Sequence, residues 1–331
     1  MPLQIIRQDI TKMKVDAIVN TTNKKMIGYS GIDKLVHTIA GPEMDAECAT
    51  LTPLGLGQAK MTGGYGLPCK YVIHTSGPVW RGGLIGESAI LRSCYIESLK
   101  LAFQSGCQTV AIPLISSGAH GFPKDQVLKF AIQTITEFLF DNELTVYLCV
   151  FDKESYSFSQ KLFDDIQDFI DGNEEELQGD AEEEPVMDSF PKKIYCTIDA
   201  SCAHPTKSLQ DYMKEKEKSF GEKLFSLIDR SGMTDVECYK KANVDKKTFS
   251  KIKCNLKTYK PSKQPAVAFA SALRLSLEET QDLLSSAGMT LSNSFTFDKI
   301  IRYFIQKENY DVFEINEALF EFGQDSLGCE K

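Results

Sequence analysis

The apolar residues of this chain change period partway along it. Over the first 170 positions, short apolar runs alternate with stretches of helical period, whereas from Gly221 to Gly323 only helical period remains. Leu3–Ile6, Ala17–Val19, Tyr71–Ile73, Val110–Ile115 and Leu144–Phe151 are apolar on both faces and short, which is the pattern of buried strands. Between them, Glu87 to Phe103 sets Ile90, Leu91, Cys94, Tyr95, Leu99 and Phe103 on one helical face. Val127 to Phe140 does the same with Val127, Phe130, Ala131, Ile135 and Phe138, interrupted by Thr134. Strand and helix in alternation predict an α/β sandwich with helices on both faces of a sheet.

The stretch Asp171–Glu184 (DGNEEELQGDAEEE) is too acidic and too poor in apolar residues to bury a core. It reads as an exposed linker between the α/β region and an all-α one. Breaks at Gly232, Pro261, Gly288 and Gly323 divide the helices of the latter. The expected organisation is residues 1–170, a linker and lead-in over 171–206, and a helical domain over 207–331.

Charge follows the same division. Residues 1–204 carry a net −10 and residues 205–331 a net +1, and Lys240 to Lys263 contains nine lysines against one acid, Asp245. An acidic chain with one basic stripe points to a local anion-binding face. No apolar run is long enough to cross a membrane, and the first residues lack the pattern of a cleaved leader, which leads us to expect a cytoplasmic protein. The ten cysteines form no CxxC pair and sit mostly singly in apolar segments, as reduced buried thiols do. Cys196, Cys202 and His204 are the one cluster with a hint of metal ligation, but their spacing matches no common zinc pattern. Neither a metal nor a cofactor is expected.

Two glycine-bearing loops follow predicted strands and open helices. One runs from Asn20-Thr-Thr-Asn23 through KKMIGYSG to Ile32-Asp33. The other is Ile115-Ser-Ser-Gly118-Ala-His120-Gly121-Phe-Pro123. Glycine lets backbone amides approach an anion closely, and a helix N-terminus adds a favourable dipole. Two such loops at the carboxyl edge of a sheet suit a diphosphate, although either alone is compatible with an ordinary strand–helix turn.

Further motifs occur in order around these loops: Asp9-Ile10-Thr11, Val15 to Asn23, Gly41-Pro-Glu43, Gly57-Gln-Ala59 and Tyr71-Val-Ile-His74-Thr. Together, over roughly residues 1–170, they resemble the macrodomain family, and most closely its branch of ADP-ribosyl hydrolases. The resemblance implies a three-layer α/β/α fold and a site for ADP-ribose or an ADP-ribosylated macromolecule. It assigns Asp9 to the adenine amino group with Ile10 beside it. It gives Ser117, Gly118, Ala119, His120, Gly121 and Phe122 to the diphosphate, Phe151 to the adenine face, and Asn20, Gly31 and Ile32 to the ligand cleft. Asn23 would hold the distal ribose and Asp33 would position or activate water against its anomeric carbon. Where the hydrolase branch has a nearly all-glycine loop, this chain has Gly28-Tyr29-Ser30-Gly31, which narrows the space around that ribose. A plain acid stabilised by a helix dipole would also explain Asp33, and a non-catalytic sensor of ADP-ribose remains the alternative to a hydrolase. His37 and His74 are expected to be structural, and His120 either to touch ligand or to face solvent.

In the second half, Thr234 is placed to cap a helix over Asp235–Ala242, and Val244 to Ile252 begins another after a short turn. The spacing resembles the helix-turn-helix fold of lambda-repressor-like regulators. That resemblance implies a DNA face carried by Lys246, Lys247, Lys251, Lys253 and Asn255, with the lysines serving phosphates. A solvated basic face on a domain that contacts protein is the other reading. Residues 295–322 carry apolar residues at helical spacing and should close the core of this half, or offer a partner surface.

Overall fold

Five of the six strands are parallel, and the carboxyl ends of three of them meet at one cleft. The structure, a computed structural model, describes residues 3–150, 160–179 and 218–328. Phe151, Cys196, Cys202 and His204 lie outside the described residues.

The strands are β1 (Leu3–Ile6), β2 (Ala17–Thr21), β3 (Ala59–Gly63), β4 (Tyr71–Thr75), β5 (Thr109–Pro113) and β6 (Thr145–Cys149). They form one sheet in the order β1-β6-β5-β2-β4-β3, and β3 alone runs antiparallel, at the edge beside β4. Helices α1 (Gly31–Ala40), α2 (Pro42–Leu51), α3 (Glu87–Gln104) and α4 (Lys124–Asp141) connect them. Two apolar layers result, one on each face of the sheet. One is built from Val19, Ile73, Val110 and Ile112 with Leu91, Tyr95 and Leu99 of α3 and Val127, Ala131 and Ile135 of α4. The other joins Ile18, Val72 and Ala111 to Val36 of α1 and Met44 of α2. Alternate residues of the same strands serve opposite layers, which is why these strands read as continuous apolar runs.

Three local expectations need correction. β3 (AKMTG) is only partly buried and carries lysine, threonine and glycine, so it gives no apolar run to read. On α3, Phe103 is 43% exposed while Ala102 is fully buried, because the helical face turns by one residue near its end. The acidic stretch from Asp171 is not a linker as far as Gly179: it is the second half of α5 (Gln160–Gly179). Glutamate, glutamine and leucine are good helix formers, and Ile166 and Ile170 anchor the helix in the core of the helical half.

That half comprises α6 (Phe220–Ser231), α7 (Asp235–Lys241), α8 (Lys246–Cys254), α9 (Lys263–Ala272), α10 (Leu277–Ser285), α11 (Thr296–Gln306) and α12 (Val312–Glu321). Capping boxes start α6 at Ser219, α7 at Thr234 and α10 at Ser276, and Asp245 caps α8. Phe269 on α9 and Phe304 on α11 are among the largest fully buried side chains. The segment 295–322 thus closes this core, with α5 packed on α11.

The two halves touch along β1. The Asn243 amide, in the turn between α7 and α8, bonds both backbone groups of Leu3, at 2.8 Å each. The Arg7 guanidinium lies 5.1 Å from the Phe320 ring centre, and Phe313 and Phe320 of α12 pack against the apolar layer of the sheet. Tyr239 donates its hydroxyl to Glu143 at 3.2 Å, and the Lys240 ammonium donates to the Phe140 carbonyl. No helix of the described residues is long and apolar enough to cross a membrane.

Candidate functional site

A cleft of about 330 Å³ opens at the carboxyl ends of β2, β5 and β6. Its walls are the two loops singled out in the sequence. Asn23, Gly31, Ile32 and Asp33 line one wall, and Ser117, Gly118, Ala119 and His120 the other. Tyr29 and Ser30 of the loop before α1 line it as well, as do Thr21, Thr22 and Ser116 within the quoted motifs. Gly77, Cys149 and Val150 also line it and were not singled out in the sequence, because they carry no chemical signature of their own.

The wall after β5 is built to meet an anion. Among the described residues, no acceptor within the protein meets the N–H groups of Gly118, Ala119 and His120. The loop holds its shape through Gly121 N–H to the Gly118 carbonyl at 2.9 Å and Phe122 N–H to the Ser116 carbonyl at 3.1 Å. Ser116 sits at φ 65°, a left-handed conformation that costs a non-glycine residue of order 1 kcal/mol. Its hydroxyl is buried without a hydrogen-bond partner and faces Gly77, where an added Cβ would come within 2.2 Å of it. The left-handed turn at Ser116 thus holds the following amides at the cleft wall, with its own hydroxyl packed away against Gly77.

Opposite stands the N-terminus of α1. Its N-cap, Ser30, makes no side-chain cap, so the first-turn amides of Gly31 and Ile32 face the cleft. Asp33 is 4% exposed. Its carboxylate accepts from the Asn20 amide at 2.7 Å, the Thr22 hydroxyl at 3.0 Å and the Tyr29 N–H at 3.3 Å. Burial pushes this carboxyl above the ordinary aspartate range, against the lowering effect of the Asn20 and Thr22 bonds. The His37 Nε2 lies 3.5 Å from Asp33 Oδ1 and has no hydrogen-bond partner, while its Nδ1 is 2.6 Å from Asp45. His37 therefore connects a buried carboxylate to a solvent-exposed one, and a proton on Asp33 has an acceptor beside it.

Asn20 is fully buried and stands outside the cleft lining. It donates to Asp33 and, at 3.2 Å, to His74 Nδ1. With Nδ1 accepting, His74 Nε2 carries the proton and meets the Thr62 hydroxyl at 2.9 Å. Burial lowers the His74 pKa to about 3, so it is a neutral link. The ligand atoms of His37, Cys48 and His74 lie within 4.8 Å of one another. Because the His74 lone pair is already engaged, these residues are a hydrogen-bonded support beneath Asp33.

The remaining assignments fall as follows. Asp9 stands outside the cleft lining at the end of β1, where its carboxylate caps the turn at Thr11, accepting from the hydroxyl at 2.7 Å and the N–H at 3.0 Å. The Thr11 hydroxyl above all holds the Asp9 carboxyl below the usual range. Asp9 is beside Cys149, whose thiol is pushed to about 12 by burial and then by that carboxylate. Ile10 is buried in the core. Phe122, assigned to the diphosphate, instead packs on Trp80 with ring centres 4.4 Å apart, because the positive φ of Gly121 turns the chain inward there. Asn23 is turned onto its own loop, donating to the Ile27 carbonyl at 3.1 Å. Lys246, Lys247, Lys251, Lys253 and Asn255 are all exposed on α8 and just after it. Lys253 pairs with Asp235 at 2.5 Å, and the Asn255 amide caps the Lys251 carbonyl at 3.0 Å.

The family model described as "Macro domain" matches residues 19–131. A macro domain-containing protein of Methanosarcina mazei is 48% identical over 155 residues, covering 46% of this chain and 83% of that protein. The human ADP-ribose glycohydrolase MACROD2 is 41% identical over 178 residues, covering 53% of this chain and 42% of that protein. An Oceanobacillus iheyensis macrodomain solved with ADP is 31% identical, covers 50% of this chain and 92% of its own, and has a TM-score of 0.46. Matching the Methanosarcina protein over most of its length, and with both loops placed at one cleft, this chain belongs through its first half to the macro domain family.

Proposed function

We propose that the cleft binds ADP-ribose and hydrolyses mono-ADP-ribosyl ester linkages. The observation that carries the binding claim is the loop at Ser116–His120. It offers three unpaired amides across the cleft from the N-terminus of α1, which has no side-chain cap, and both elements suit a phosphate. The adenine then lies toward Cys149, Val150 and Asp9, and the distal ribose toward Asn23 and Asp33. Hydrolysis follows from Asp33 and His37: as water bonds to the anomeric carbon, the bond from that carbon to the ester oxygen breaks and the modified side chain leaves as its carboxylate, while Asp33 takes the water proton and His37 relays it toward Asp45. The kinship with an ADP-ribose glycohydrolase supports this step. Isothermal titration with ADP-ribose tests the binding, and release of ADP-ribose from a mono-ADP-ribosylated protein tests the hydrolysis.

A non-catalytic sensor is the second reading. It is favoured by the enclosure of Asp33 by three donors and by Tyr29 and Ser30 in the loop above it. Binding without turnover of any ester-linked substrate would establish it.

For the helical half we propose a separate targeting unit, with its division from the α/β unit ahead of α5. A helix-turn-helix pairing of α7 and α8 is supported by the left-handed residue between a seven- and a nine-residue helix. The exposed lysines of α8 suit DNA phosphates. Charge reversal at Lys246 and Lys247 should abolish retention on duplex DNA at low salt; unchanged retention would leave a protein partner as the reading. The seven free cysteines among the described residues fit a reducing, cytoplasmic setting.

A further inference from the structure

One of the contacts between the two halves, at Asn243, is made to the strand that leads toward the cleft. β1 is an edge strand. Its inner side pairs with β6, in the register Leu3 to Val146, and its outer side leaves the N–H and C=O of Leu3 pointing away from the sheet. Asn243 closes that gap. Its Oδ1 accepts from the Leu3 N–H and its Nδ2 donates to the Leu3 carbonyl, at 2.8 Å each, so one side-chain amide stands in for a rung of a neighbouring strand. Aspartate could only accept there and lysine only donate; an amide does both. The backbone adds a second restriction. Asn243 is 2% exposed and sits at φ 54°, a conformation that asparagine tolerates better than most residues. Gly328 seals it from behind, since a Cβ there would come within 2.3 Å of the Asn243 carbonyl.

From Leu3 the strand runs directly to the site. The Ile6 carbonyl accepts from the N–H of Val150, which lines the cleft, at 2.9 Å. Arg7 lies over the Phe320 ring of α12. Two residues later comes Asp9, with its carboxylate fixed by Thr11. The helical half thus holds this segment at Leu3 and at Arg7, immediately before the carboxylate.

We infer that Asn243 is a positioning residue for adenine recognition: by pinning β1 from the helical half, it sets where Asp9 presents its carboxylate to the adenine amino group. This rests on the ADP-ribose reading proposed above. The consequence concerns selectivity. Hypoxanthine carries a carbonyl where adenine carries the amino group, so a well-placed Asp9 favours ADP-ribose over its inosine counterpart, and a displaced one does not.

The test is calorimetric titration of both nucleotides into the intact chain. Asn243→Gly removes the amide and keeps a residue at ease with positive φ. Phe320→Leu removes the ring under Arg7 and retains apolar packing. Leu224→Ala, in the helical core on α6, is the control for general loosening. The unsubstituted chain should prefer ADP-ribose. Asn243→Gly should narrow that preference by roughly tenfold, Phe320→Leu should move it the same way, and Leu224→Ala should leave it intact. A preference unchanged in Asn243→Gly and Phe320→Leu, narrowed equally by Leu224→Ala, or absent from the unsubstituted chain overturns the inference while the cleft still binds. No binding of ADP-ribose by the unsubstituted chain overturns the ligand reading and this inference with it.

Discussion

Replacing Asp33 with alanine separates chemistry in the cleft from grip on the ligand. The carboxylate bonds Asn20, Thr22 and the Tyr29 N–H, and its removal strands a buried amide and a buried hydroxyl. At about 1–3 kcal/mol for each buried group left unpaired, the variant should lose a few kcal/mol of stability. Release from burying a carboxylate offsets part of that loss, since burial raises its pKa. The amides of Gly118, Ala119 and His120 are untouched, so the Kd for ADP-ribose should change by less than roughly tenfold. Turnover should fall much further, by roughly 10²–10⁴, the usual contribution of a positioned general base. Asp33→Asn should behave similarly. It keeps the shape, but its new N–H₂ group meets the Asn20 amide or the Tyr29 N–H, both donors. Single-turnover release of ADP-ribose from a mono-ADP-ribosylated protein, run beside calorimetric binding and a thermal melt, reads all three quantities. A folded Asp33→Ala protein that hydrolyses within about tenfold of the parent would refute the assignment of Asp33 as base.

Two other substitutions probe the cleft and the interface. Gly77→Ala forces a Cβ to within 2.2 Å of the Ser116 hydroxyl and 2.9 Å of Ile115 Cγ2. It should cost about 1–3 kcal/mol by overpacking and weaken ADP-ribose binding by displacing the loop; wild-type affinity would show that the loop tolerates the shift. Glu317 on α12 has its carboxyl pushed up to about 7, by burial first and Glu314 next, against the opposing pull of Lys129 on α4. Its folded value is raised, so its contribution is fully present below about pH 4.5 and is lost as pH rises through about 7, by about 3 kcal/mol. Glu317→Gln should therefore match the parent in melting temperature near pH 4 and exceed it at pH 8. Equal melting at pH 8 would contradict the burial argument.

The parts of the molecule legible from the sequence are those where one residue type has one physical use. Apolar runs on both faces marked the parallel strands, because a sheet covered by helices leaves them no polar side. Thr234 marked the start of α7, because a threonine before an apolar-periodic run is a helix cap, and Glu237 completes a capping box there. The loop Ser117–His120 and the α1 N-terminus met at the cleft as expected. Where a residue has several uses, the reading failed. β3 lacks an apolar signature because the sheet edge buries little of it. Phe122 and Asn20 lie inside recognised motifs, yet one fills the core and the other supports Asp33. Asn243 sits in the short turn before a basic helix. Its buried role depends on Leu3, 240 positions away, and no local pattern announces such a partner.

The claim on which the account depends is that the cleft grips ADP-ribose between the Ser116–His120 loop and the α1 N-terminus. Calorimetric titration of ADP-ribose into the intact chain, beside Asp9→Ala, tests it most directly. The account predicts saturable binding of one ligand per chain, weakened roughly tenfold or more in the variant, as expected for a lost hydrogen bond to a charged acceptor. No saturable heat at millimolar ligand would contradict it.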